Sequence, residues 1–199
     1  MNWPKAVQRR RFYVDFIELR YWMFYSVFSC LKSNQNIDWI VNFVSMTIKV
    51  GDIAPDFTLI SSETKPVSLN SFRGKKVVLH FFPAAFTGVC TTQLCTVRDA
   101  IHLYENDSAT VLAVSVDLPF TLAKFKEDQK LNFTMLSDFN KEVSRAYGSI
   151  YEDWILGLKG VSKRAAFVID EEGKILYAEV LENAGELPNF EQINAALLG

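Results

Sequence analysis

An α/β fold with a central mixed β-sheet flanked by helices is what this sequence predicts, and three observations predict it. The run Val77, Val78, Leu79, His80, Phe81, Phe82 is almost wholly apolar and β-prone, as suits a strand buried on both faces. From Thr91 onward the apolar residues Leu94, Val97, Ile101 and Tyr104 recur at spacings of three and four, the period of an amphipathic helix. TVLAVSV, from Thr110 to Val116, is a second β-branched apolar strand. Strand, helix and strand in that order make a βαβ unit.

The remaining elements follow in chain order. GDIAPDFTL reads as an extended lead-in, because Pro55 opposes a helix, and Val67 to Leu69 is expected to pair as a short edge strand. SFRGKK turns the chain into the buried strand, which Pro83 ends. Pro119 lies at the start of a helical stretch reaching Gln129, Phe133 to Leu136 is a brief strand, and Lys141 to Tyr147 is a helix stopped by Gly148. Ala165 to Ile169 and Ile175 to Val180 flank the turn EEGK and form a hairpin, after which Phe190 to Leu198 forms a covering helix. Alternating strands and helices that close on a hairpin and a helix describe an α/β sandwich of the thioredoxin type.

The chain has 199 residues, 49% of them hydrophobic, with nine Gly and six Pro, enough for one well-buried domain and an appendage. A formal net charge of -2 supplies no basic field to concentrate nucleic acid, so no nucleic-acid partner is expected. Cys30, Cys90 and Cys95 are too few and too unevenly placed for a secreted disulfide framework. They fit a reducing compartment, and the expected location is the cytoplasm.

Composition shifts near Met46. Residues 1–45 carry Lys5, Arg9, Arg10, Arg11, Arg20 and Lys32 against Asp15, Glu18 and Asp38, and they are dense in aromatic side chains. Tyr21 to Phe28 is too short an apolar run for a signal peptide or a transmembrane helix. A basic surface helix touching anionic lipid through Trp22, Phe24, Tyr25 and Phe28 is the sharper alternative. The expectation is instead an extension outside the fold, with the working protein starting at Met46, a domain spanning 46–199, and no membrane contact. Cys30, in that extension, is expected to be irrelevant.

FPAAFTGVC puts Cys90 at the turn between the buried strand and the helix. Unpaired backbone N–H groups and the positive end of the helix dipole favour an anion there, so the thiolate, the nucleophilic form of sulfur, is expected.

Pro83, Thr87 and Cys90 resemble the Pro-x-x-x-Thr-x-x-Cys motif of the peroxiredoxins. The resemblance covers Met46 to Gly199 and is carried also by GDIAPDFTL, by Arg98 and Asp99, by LSDFNKEVSRAYG, and by Arg164 before AAFVIDEEGKI. Within the family, FTGVC, ENDSA and LSDF are most similar to the AhpE-type group, Cys95 resembles the PrxQ type, and DLPF resembles the thiol-peroxidase group. The resemblance implies a thiol-specific peroxidase acting on hydrogen peroxide and organic hydroperoxides and recycled by thioredoxin or a similar dithiol, with no metal or organic cofactor. Residue by residue, Cys90 is the implied peroxidatic cysteine, Thr87 the hydroxyl that orients peroxide, Pro83 the shield and Arg164 the guanidinium beside the thiolate. Backbone N–H groups of Val89 and Cys90 are expected to add donors. The AhpE-like features imply a homodimer and the PrxQ-like one a monomer.

A second thiol must meet the sulfenic acid before over-oxidation, and Cys95 is the candidate in the folded part. Five residues of ideal helix advance about 7.5 Å and rotate about 140°, which leaves the two Cα atoms roughly 8.6 Å apart. A disulfide needs less than about 7 Å, so the first turn is expected to unwind when Cys90 and Cys95 join. The same projection puts Cys90 in the stripe of Leu94, Val97 and Ile101, with Cys95 on roughly the opposite face.

Other residues are discounted. His80 is expected to be a satisfied core or rim histidine, and His102 a surface residue. CTTQLC lacks the paired spacing of a zinc site and the CxxC of a disulfide reductase. Trp154, Ile155, Leu156 and Leu158 form an apolar cluster in a loop, open equally to core packing and to a dimer or reductant-docking surface. The competing functions are a one-cysteine peroxidase, a redox-sensing interaction protein in which Cys90 oxidation alters partner binding, and a non-catalytic module.

Overall fold

A computed structural model describes residues 48–106 and 109–198. The extension 1–45, with Cys30 and the aromatic residues considered as lipid anchors, lies outside the described residues.

Seven strands form the main sheet. They are β1 (Thr58–Ser61), β2 (Pro66–Ser68), β3 (Lys76–Phe81), β4 (Ala109–Ser115), β5 (Thr134–Ser137), β8 (Arg164–Ile169) and β9 (Ile175–Leu181). Their spatial order is β2-β1-β5-β4-β3-β8-β9. The central strands β3, β4 and β5 run parallel, while β1, β2, β8 and β9 pair antiparallel with their neighbours. This is the mixed thioredoxin-type sheet expected from the alternation of elements. Two short strands, β6 (Ile150–Tyr151) and β7 (Val161–Ser162), pair separately.

Side chains alternate across β3, and the alternation builds two cores. Val78 and Phe82 point to one face, where they meet Cys90, Leu94 and Val97 of α1 (Gly88–Asp99) and Tyr104 of α2 (Ile101–Asn106). Leu122 and Phe125 of α3 (Pro119–Gln129) and Ile193 and Leu197 of α5 (Phe190–Leu198) complete that layer. Val77, Leu79 and Phe81 point the other way, toward Phe57, Tyr147, Phe167 and Val143 of α4 (Glu142–Ala146). On that second face Phe81, Tyr147 and Phe167 pack ring to ring, with centroids 5.1 to 5.9 Å apart.

Several expectations need correction. The helix expected from Thr91 to Tyr104 begins earlier, at Gly88, and is two helices, because Ala100 leaves helical geometry (φ −98°, ψ 11°) between α1 and α2. The lead-in GDIAPDFTL contains the start of β1, which pairs with both β2 and β5. The edge strand expected at Val67 to Leu69 lies one residue earlier, and Leu69 opens a 3-10 turn, Leu69–Phe72.

Core packing does not account for the 154–158 cluster: Ile155, Leu156 and Leu158 are exposed, Leu156 at 93%. Only Trp154 is half-buried, stacked on Tyr151. None of the described helices is long and apolar enough to cross a membrane.

Candidate active site

Pro83, two residues past the end of β3, is buried and directs the chain out of the sheet. The loop it opens is clamped to the end of β4, where the Asp117 carboxylate accepts the Ala85 N–H at 2.8 Å and the Ser115 hydroxyl at 2.8 Å. Phe86 then takes a left-handed conformation (φ 62°), rare for a side chain of this size, with its ring 5.0 Å from that of Phe125. Thr87 follows as the N-cap of α1 in an extended conformation, but its hydroxyl does not cap the helix. It donates instead to the Ala84 carbonyl at 2.9 Å, leaving the oxygen's lone pairs to accept another donor.

Cys90 is the third residue of α1 and is buried. The first helical bond near it runs from the Thr91 N–H to the Thr87 carbonyl at 2.9 Å. The N–H groups of Val89 and Cys90 therefore lie ahead of the helical ladder, the position in which orphan donors collect at a helix N-terminus. Burial of Cys90, Leu94 and Val97 follows the stripe expected from their spacing.

Arg164 reaches the same spot from β8. Register pairs His80 with Ala166 and Phe81 with Ala165, so Arg164 begins its strand beside the point where Phe82 and Pro83 leave theirs. Its side chain lies on the α1 face and is almost wholly buried. The Nη2 group donates to Cys90 Sγ at 3.5 Å and to the Ala184 carbonyl at 2.8 Å, while Nη1 donates to the Gln93 side-chain oxygen. Nε has no partner. A fixed cation and the N-terminus of α1 thus converge on one sulfur, an arrangement that stabilises negative charge on it and on an atom bonded to it.

Gln93 and Ala184 were missed in the sequence. Gln93 had a signal: it stands one turn beyond Cys90 on the apolar stripe of α1, and a polar residue on a buried face is informative. Ala184 supplies only a backbone carbonyl, which no side-chain pattern reveals.

His80 is in the core as expected but is not satisfied. Its Nδ1 lies 3.5 Å from Gln93 Nε2, and its Nε2 has no partner among the described residues. Burial pushes its pKa down to about 4. His102 is exposed.

The structure does not bring Cys95 to Cys90. Both belong to the continuous helix α1, and both are free thiols. Cys95 is only partly buried, and its Sγ faces α3, 3.7 Å from the Gln129 side-chain oxygen. Among the described residues no cluster of His, Cys, Asp and Glu could hold a metal ion.

The AhpC/TSA family profile matches residues 50–178, a span that holds every one of these groups except Ala184. The chain is a peroxiredoxin of the AhpC/TSA family. This peroxiredoxin is 42% identical over 131 residues to a putative peroxiredoxin bcp of Haemophilus influenzae, covering 65% of this chain and 84% of that protein. It is 38% identical over 130 residues to peroxiredoxin Bcp of Escherichia coli K12, covering 64% and 83%. Among solved structures it resembles peroxidoxin BcpB of Mycobacterium tuberculosis, with a TM-score of 0.68, 30% identity, and coverage of 76% of this chain and 97% of that one. The mixed subgroup resemblance thus resolves toward the Bcp and PrxQ side. A peroxiredoxin of this kind is an enzyme, a thiol peroxidase whose substrate is a peroxide and whose reductant is a thiol.

Proposed function

We propose that Cys90 is the peroxidatic cysteine and that Cys95 resolves its sulfenic acid as an intramolecular disulfide, which thioredoxin or a similar dithiol then reduces in a reducing compartment such as the cytoplasm. The observation that carries this reading is the approach of Arg164 Nη2 to Cys90 Sγ at 3.5 Å at the start of α1.

In the first step the Cys90 thiolate attacks one peroxide oxygen in line with the O–O bond. The S–O bond forms as the O–O bond breaks, and the departing oxygen leaves as hydroxide or alkoxide and takes a proton. Cys90 is oxidised by two electrons to sulfenic acid and the peroxide is reduced by two. Charge moves from sulfur to the leaving oxygen, and Arg164 stands where it stabilises both ends of that movement. The Thr87 hydroxyl, already donating to Ala84, accepts a hydrogen bond from the O–H of the incoming peroxide and so orients it. The N–H groups of Val89 and Cys90 add donors, and buried Pro83 keeps water from the sulfur.

In the second step the Cys95 sulfur attacks the sulfenic sulfur, the S–S bond forms and water leaves. On one helix the two Cα atoms are roughly 8.6 Å apart, so α1 unwinds over its first turns before the bond closes. The composition of α1 suits this. Gly88, Val89, Thr91, Thr92 and Thr96 are all poor helix formers, and the Thr91, Thr92 and Thr96 hydroxyls bond the carbonyls four residues back.

The contact of Cys95 with Gln129 favours a second reading, a one-cysteine peroxidase in which Cys95 is a packing residue and an external thiol meets the sulfenic acid. Intact mass after peroxide in the wild type, Cys90→Ser and Cys95→Ser proteins separates the two. The expected result is loss of two hydrogens in the wild type, a sulfinic or sulfonic adduct in Cys95→Ser, and no change at the active site in Cys90→Ser. A wild type that never joins Cys90 to Cys95 overturns the resolving role. Stopped-flow consumption of peroxide that stays stoichiometric with thioredoxin present would replace the enzyme reading with a sensor.

A further inference from the structure

The geometry points to His80 as a positioning residue of this site: through Gln93 it fixes the orientation in which Arg164 meets Cys90. The inference rests on the proposed role of Cys90 and adds a residue that the peroxidase motif does not contain.

His80 is the penultimate residue of β3, fully buried on the face shared with Val78 and Phe82, with the Phe190 ring of α5 6.3 Å from its own. Packing alone gives no reason for an imidazole here. An apolar ring would fill the space without the cost of burying two polar nitrogens.

The reason lies in a chain of hydrogen bonds with a fixed direction. Arg164 only donates, so the end of the Gln93 amide that faces it must be the oxygen. The amide nitrogen then faces β3, where two acceptors stand at 3.5 Å, the Phe81 carbonyl and His80 Nδ1. The amide carries two hydrogens, and each has one acceptor. Turned over, Gln93 would set its hydrogens against the guanidinium and its oxygen against the Phe81 carbonyl.

Acceptance at Nδ1 puts the imidazole proton on Nε2, the nitrogen with no partner. Among the described residues no other contact selects the tautomer, so Gln93, oriented by Arg164, sets it, and His80 in return holds the amide nitrogen in place. The neutral state this requires agrees with the downward pKa shift that burial gives His80. Guanidinium, amide and imidazole thus form one connected line ending at the Cys90 sulfur, with both ends of the Gln93 amide engaged.

The test compares His80→Phe, which keeps a ring and removes the acceptor, with His80→Gln, which returns an acceptor oxygen, each in the wild-type and Gln93→Leu backgrounds. His80→Phe is expected to slow Cys90 oxidation by hydrogen peroxide about fivefold, the scale of one lost neutral hydrogen bond. It should also move the pH profile of Cys90 alkylation upward, with His80→Gln recovering most of both effects. In the Gln93→Leu background, His80→Phe should change neither measurement. A wild-type rate and profile in His80→Phe, or effects of the two positions that multiply as independent ones, would overturn the inference.

Nitrogen NMR of the unmutated protein gives a readout that needs no variant. A bare Nδ1 and a protonated Nε2 on His80 are expected, and the opposite tautomer rejects the assignment. Alkylation and NMR require no peroxide, so they judge His80 separately from the peroxidase reading, which fails if the wild type does not turn over peroxide with a thiol reductant present.

Discussion

Arg164 and Cys90, 74 residues apart in the chain, meet at 3.5 Å between Nη2 and Sγ, and the same Nη2 also holds the Ala184 carbonyl. The planar fork serves three partners at once, with Gln93 on its other arm. A lysine keeps the charge but not the fork. Arg164→Lys is therefore expected to lower kcat/KM for peroxide about tenfold, and Arg164→Gln about a hundredfold or more, the scale of removing a donor from a developing anion. Stopped-flow oxidation of Cys90 measures both, and a fully active Arg164→Lys would reduce the fork to a point charge.

The threonine-rich start of α1 makes a prediction about resolution. Replacing Thr91 and Thr92 with alanine raises helix propensity by about 1 kcal/mol in total. The double variant is expected to form the Cys90–Cys95 disulfide roughly fivefold more slowly while reacting with peroxide at an unchanged rate. Rapid-quench mass spectrometry should then find more sulfinic acid at Cys90 at high peroxide. Unchanged disulfide kinetics would mean that unwinding of α1 is not the slow step.

Buried His80 ties stability to acidity. Its folded-state pKa is about 4, below the value of 6.5 for an unperturbed histidine. Between those values the unfolded chain binds a proton that the folded one refuses, so stability is complete above about pH 6.5 and falls as the pH drops toward 4. The contribution lost is on the order of 3 kcal/mol. Urea titrations from pH 7 to 4 should show this slope in the wild type and a shallower one in His80→Phe. Equal slopes would mean that His80 titrates alike in both states.

Asp117 holds the active-site loop by its backbone. Asp117→Ala leaves the Ala85 N–H without its carboxylate partner and is expected to cost about 1–2 kcal/mol of stability. It should also slow Cys90 oxidation several-fold, because the loop carries Ala84, the acceptor that orients the Thr87 hydroxyl. Asp117→Asn keeps an acceptor oxygen and should lie between the two. Chemical denaturation and peroxide kinetics on the same samples would check whether the losses run together.

Periodicity alone located much of this molecule. Pro119 to Gln129 and Phe190 to Leu198 are helices over the residues their patterns indicated, and the apolar runs at β3 and β4 are parallel neighbours. β1 escaped because Thr58–Ser61 is short and half exposed, and its pairing with β5 is a long-range matter. The early start of α1 at Gly88 was hidden by Gly88 and β-branched Val89, whose weak local preference is overridden by packing of Cys90, Leu94 and Val97.

Within the candidate site, the motif pointed to Cys90 and the wider family resemblance to Arg164, but their contact depends on sheet register. The Gln93–His80 pair was not legible, because each residue alone fits a bland role. Their meaning arises only when α1 lies on β3.

One consequence follows from the pairing of Phe81 with Ala165. The two strands act as a ruler whose zero mark is the far hairpin and whose working end is the sulfur. The EEGK turn is itself tied down, because the Glu171 and Gly173 carbonyls accept the Gly74 and Ala54 N–H groups, each at 2.9 Å, so that mark is pinned as well. A single residue added between Phe81 and Cys90 shifts the thiol against the guanidinium by a full step. The span from turn to thiol is therefore anchored at both ends, and the protein has no slack along it for inserted residues.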